Sequence, residues 1–170
     1  MGWWGYDIME GDTPLGCQGD IVERLADPEL VEKYNSDEGD WQENTDAMYD
    51  SAYAALKTEA TVIAAMKAIQ DGELCSYDTN IAMQVLGEMI LCSGGVFPQE
   101  VRAACVAAAE AEIEYDEGGW KEEGARIEAL KAYIARVWAY NGEAVKPTSK
   151  GLFATIAEGM AEGDSGLINV

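Results

Sequence analysis

The stretch from Asp78 to Gly95, DTNIAMQVLGEMILCSGG, constrains the fold more than any other part of the chain. Between Ile81 and Leu91 it carries Ile81, Ala82, Met83, Val85, Leu86, Met89, Ile90 and Leu91. The exceptions, Asn80, Gln84, Gly87 and Glu88, recur at three- and four-residue steps and so form one narrow stripe on a helix. A helix this apolar has to be covered by neighbours on most sides. Burying its seven large apolar residues contributes on the order of 10–20 kcal/mol, at roughly 1.5–3 each. The expected fold is therefore organised around a buried central helix at about 79–92. Glu88 is the one conspicuous acid on it, and its place on the stripe reads as a solvated or hydrogen-bonded edge, not a catalytic acid.

The flanking segments also read as helices. Tyr49, Ala52, Tyr53, Leu56, Ala60, Ile63, Met66 and Ile69 repeat at helical spacing. They predict one long helix from Asn44 or Thr45 to about Gln70, close to 40 Å long at about 1.5 Å per residue. Pro98 and Glu100 open a helix with Val101, Cys105, Ala108, Ala109 and Ile113 inward. Trp120 to Tyr140 reads as another, with Ile127, Leu130, Ile134, Val137 and Trp138 inward and Lys121, Arg126, Lys131 and Arg136 largely outward; Asn141-Gly142 closes it. Upstream, Asp20 caps a short helix through Leu25, and Asp27-Pro28 begins one through Tyr34. After Pro147, Leu152, Phe153, Ile156 and Met160 make a short last helix.

No useful alternating run appears, so the class is all-α: a compact bundle of five or six helices in a single domain over 1–170. Residues 1–19 read as an irregular, Trp-rich loop anchor, 20–162 as the bundle and 163–170 as a tail. Residues 35–46 read as a solvated acidic loop, in which no register meets the calcium-loop pattern.

Charge is the outlying property. Eleven basic residues stand against 32 acidic ones, a net charge of −21, although 48% of the chain is hydrophobic. Fourteen acids fall within residues 1–50 against Arg24 and Lys33 alone. Such a surface repels nucleic acid and anionic membranes and attracts basic proteins. No run reaches the length of a membrane span, and the N-terminus lacks the basic and apolar regions of a signal peptide. The four cysteines have no CxxC spacing and read as reduced thiols in a cytoplasmic protein, the host cytoplasm if phage-encoded.

Several chemistries are excluded outright. The chain has no histidine, which removes Ser-His-Asp and Cys-His sites and histidine zinc ligation. It has no P-loop and no GxGxxG turn. No catalytic residue, metal ligand or cofactor is expected. Paired carboxylates can hydrolyse glycosides without histidine, but among 32 acids a pair carries no information.

Met1-Gly2-Trp3-Trp4-Gly5, followed by Asp12-Thr13-Pro14-Leu15, resembles the opening of a small bacterial and phage family of unknown function. The Ala-Met-Gln-Val-Leu helix, the Pro-x-Glu-Val-Arg helix start and the Ala-Leu-Lys-Ala-Tyr-Ile helix ending in Tyr140-Asn-Gly are also similar to that family. Gly16 departs from it, standing where an acid is usual. The resemblance implies a helical fold and no particular activity.

The function expected from these features is that of an acidic protein-binding inhibitor. It would imitate nucleic acid and block a defence nuclease or another nucleic-acid-binding protein. Asp37, Glu38, Asp40, Glu43, Asp46 and Asp50 form one expected row of partner-binding carboxylates. Glu110, Glu112, Glu114, Asp116 and Glu117 form the other, with Trp3, Trp4 and Trp41 as apolar contacts. The Glu110–Glu117 acids end a helix where carboxylates oppose the macrodipole, which reads either as a solvated, fraying end or as a placed acidic row. The alternatives are a structural or adaptor protein that packs or self-associates through helices, and a carboxylate-based hydrolase.

Overall fold

The structure is a computed structural model and describes residues 7–9, 11–36, 39–76, 78–116 and 123–146. Among them are seven helices and no strand: α1 (Asp12–Leu25), α2 (Pro28–Asn35), α3 (Trp41–Ala55), α4 (Glu59–Gln70), α5 (Thr79–Ser93), α6 (Gln99–Asp116) and α7 (Glu123–Ala139). The fold is all-α, and α5 is its centre. Every residue from Ile81 to Leu91 is buried, because α1, α3, α4 and α6 all pack against this one helix. The Asp78 carboxylate caps it by accepting from the Ile81 amide at 3.0 Å. Gly94, at φ +67, ends it in the left-handed conformation that glycine adopts without penalty.

Three segments depart from the sequence reading. Residues 12–19 are helical, so α1 begins at Asp12 and not near Asp20. Pro14 sits in the first turn, where a missing N–H removes nothing from the ladder. Pro14, Cys17, Ile21 and Val22 then supply a buried face that outweighs the cost of Gly16 and Gly19.

The expected 44–70 helix is two helices. Leu56 is fully buried, and its carbonyl accepts from the Val96 amide at 2.9 Å, on the connection between α5 and α6. Thr58, with ψ 120, leaves the helical region and starts α4 afresh with Glu59 in its first turn. Thr58-Glu59 is itself a helix-start signal, lying within an otherwise continuous apolar period. At about 1.5 Å per residue α3 spans roughly 22 Å, not 40. The division of 44–70 brings the count among the described residues to seven helices.

The acidic loop assigned to 35–46 is also shorter than expected. Asp40 caps α3, accepting from the Gln42 and Glu43 amides at 2.9 and 3.1 Å, so the helix is under way by Trp41. The helix after Pro147 and the tail lie outside the described residues.

Candidate functional site

At Gln84 and Glu88 the polar stripe of α5 is the hydrogen-bonded edge of the sequence reading and not a solvated one. Gln84 and Glu88, one turn apart, are both buried and face α7. Glu88 is 3% exposed and accepts two bonds from Arg136, at 2.6 and 3.1 Å. Gln84 donates to Glu112 Oε2 at 2.7 Å and accepts from Arg126 at 3.1 Å. Arg126, 8% exposed, also bonds Glu112 at 2.8 and 3.2 Å and the Asp7 carbonyl at 2.9 Å. Tyr133, wholly buried between the two arginines in sequence, donates to the Gln84 carbonyl at 3.1 Å. A charged seam thus joins α5, α6, α7 and the segment around Asp7.

Gly87 makes this approach possible. A Cβ there would run into the Tyr133 hydroxyl and crowd the Cys105 thiol. With hydrogen in place of a side chain, α7 presses a tyrosine directly onto the α5 backbone.

Arg126 and Arg136 therefore do not point outward as their residue type suggests, and Trp138 does not point inward: it is 54% exposed. The inner face of this region runs Arg126, Leu130, Tyr133, Val137 and Tyr140, all buried, at alternating steps of four and three. Assigning direction by polarity alone swapped Arg126 and Trp138. The usable signal was the complement between two stripe acids or amides on α5 and two arginines on α7. A third arginine, Arg102 of α6, caps α7, giving hydrogen bonds of 2.7–3.3 Å to the Val137, Trp138 and Tyr140 carbonyls.

The seam perturbs Glu88. Burial pushes the Glu88 carboxyl above its ordinary value, with Arg136 opposing and Asp7 adding to the rise. The Cys92 thiol donates to Glu88 at 3.6 Å and is pushed up to about 12, chiefly by burial. Both Glu88 oxygens are engaged by Arg136, so this acid has a fixed structural partner.

The expected partner-binding residues divide. Asp40, the cap of α3, and Glu43, Asp46 and Asp50 within it are exposed, at steps of three, three and four that share one face. Trp41, beside them, is 61% exposed. Glu110 and Glu114 are exposed on α6. Glu112, between them, is the exception: it is turned into the seam and paired with Arg126, which explains one acid near this helix C-terminus. The two rows are carried by different packing groups, α3 with α1 and α2, α6 with α5 and α7. Trp3, Trp4, Asp37, Glu38 and Glu117, and the side chain of Asp116, lie outside the described residues.

The charge around α3 extends beyond it. Over residues 12–55, ten carboxylates are exposed (those of α1, Asp27, α2, Asp40 and α3) against Arg24 and Lys33. In the remaining described residues, eight exposed acids face four exposed lysines. Surface grooves lie apart from the seam. One of about 350 Å³ is lined by Arg24, Leu25, Ala60, Thr61, Ala64 and Ala65. Another, of about 530 Å³, runs along Glu59 and Pro98–Glu100. Among the described residues no cluster suits a metal ion, and no helix is long and apolar enough to cross a membrane.

No family model matches the chain, and neither a curated protein nor a solved structure is similar to it.

Proposed function

We propose that this protein is an acidic inhibitor that binds a basic, nucleic-acid-binding protein by presenting carboxylates in place of phosphates. In its most specific form the proposal is a phage-encoded mimic acting in the host cytoplasm on a defence nuclease. The observation that carries it is the imbalance over α1–α3, where ten exposed carboxylates face two cations on three helices that pack together. Along α3 a step of three or four residues places a charge about every 5 Å. Each strand of duplex DNA carries one per about 3.4 Å of axis. One row is therefore sparser than a nucleic-acid strand, and the neighbouring acids of α1 and α2 add to it. Trp41 supplies the exposed aromatic that anchors many protein interfaces.

The test is competition with duplex DNA for a panel of purified nucleases and DNA-binding proteins. Displacement is expected at 50 mM salt and a steep loss of it by 300 mM. Asp40→Asn, Glu43→Gln, Asp46→Asn and Asp50→Asn together should weaken binding at least ten-fold. Undiminished competition by that variant would remove α3 from the interface.

A second reading, an adaptor or self-associating helical protein, draws on Trp138 and Tyr115, which are 54% and 81% exposed on α7 and α6. It predicts association that survives high salt, measured by sedimentation.

A further inference from the structure

Cys17 and Cys75 lie 58 residues apart in sequence and side by side in the fold. Cys17 is on α1, and Cys75 is in the connection from α4 to α5. Both are buried, and neither is in a disulfide. The Cys75 thiol donates to the Cys17 carbonyl at 3.6 Å, which brings the two residues into contact. Cys75 has φ +53 and is the one non-glycine residue with positive φ among the described residues. That backbone favours glycine or asparagine, so a thiol is held here against a local conformational cost. Packing alone does not require sulfur at such a position.

We propose that Cys17 and Cys75 form an oxidation-sensitive pair that closes to a disulfide when the protein meets a hydroperoxide. This inference is independent of the proposed function. Cys75 donates its thiol hydrogen to the Cys17 carbonyl, and the neighbouring Cys17, burial and the nearby Asp20 hold its pKa well above the ordinary thiol value, so it keeps its proton. In this proposal the attack falls to the Cys17 sulfur, with the thiolate as its reactive form. Its attack on the peroxide breaks the O–O bond, releases one water and leaves a sulfenic acid. The Cys75 sulfur then displaces the hydroxyl, which departs with the Cys75 proton as a second water while the S–S bond forms. The two sulfurs lose two electrons, and the peroxide oxygens gain them. The product ties α1 covalently to the approach to α5.

The experiment treats the full chain, folded and reduced, with hydrogen peroxide, followed by denaturation, alkylation and peptide mass spectrometry. A Cys17–Cys75 cross-linked peptide is expected, with Cys92 and Cys105 still alkylated and full reversal by dithiothreitol. Closing a 58-residue separation should raise the melting temperature by roughly 10 °C. Cys17→Ala should abolish both changes. So should Cys75→Gly, which suits the left-handed backbone and keeps the fold intact. Cys92→Ser should leave them in place. The proposal is overturned if Cys17 and Cys75 both stay alkylatable under peroxide that oxidises the urea-unfolded chain. It is equally overturned if they oxidise without joining, or join to other cysteines.

Discussion

The acids of α1–α3 and the acids of the α5–α7 seam are chemically the same groups put to opposite uses. On the outer layer, Asp40, Glu43, Asp46 and Asp50 stay in water and leave their charge available at long range. In the seam, Glu88 and Glu112 are taken out of water and held by Arg136 and Arg126. An exposed carboxylate contributes little to stability and much to the field around the molecule. A buried one contributes little to that field and makes the fold depend on its partner. A net charge of −21 describes neither role. Three of the eleven cations, Arg102, Arg126 and Arg136, are committed to internal acids or carbonyls, so the outer layer has few to balance it.

The sharpest way to break this contrast is to remove one partner from the seam. Arg136→Met leaves Glu88 buried without its cation and should cost about 3–5 kcal/mol, read from urea unfolding. Adding Glu88→Leu to that variant should restore most of the loss. If the single substitution were harmless, the seam would be no different from the surface. Gly87→Ala forces Tyr133 off the α5 backbone and should cost about 1–3 kcal/mol, with no change in net charge.

A smaller effect concerns pH. Glu88 titrates above its ordinary value of 4.5 in the folded protein, so within that window the folded chain binds more protons than the unfolded one. Stability should therefore fall as pH rises from 4.5 through the folded pKa, and rise again on acidification. Urea midpoints of Glu88→Gln compared with the parent from pH 4.5 to 8 should show this component of the slope disappear. At the outer layer the expected stability changes are smallest. Trp41→Ala, Glu43→Gln and Asp50→Asn should each stay within about 0.5 kcal/mol. Asp40→Ala is the exception, at about 1 kcal/mol, because it uncaps α3. A large loss from Trp41→Ala would mean that this residue is structural and not a contact.

Much of the scaffold was legible in advance. The apolar residues between Ile81 and Leu91 placed α5 within a residue or so of Thr79–Ser93, and the Asp78 cap and Gly94 stop seen in the structure agree with that period. Asp27-Pro28 placed α2 for the same reason. The reading failed where a local signal was overridden or hidden. Glycines and a proline disguised the start of α1, and a tertiary bond from Val96 to the Leu56 carbonyl divided what the apolar period joined.

By itself the sequence determined the all-α class, the identity of the central helix and the excess of carboxylate, because helical period and charge are properties of residue order and type. Only the tertiary structure decided which charges face water. A side chain such as Arg126 or Glu112 enters the interior when a complementary group from a distant helix meets it there, and that meeting depends on how α5, α6 and α7 pack. It is a relation between segments, and no single segment carries it.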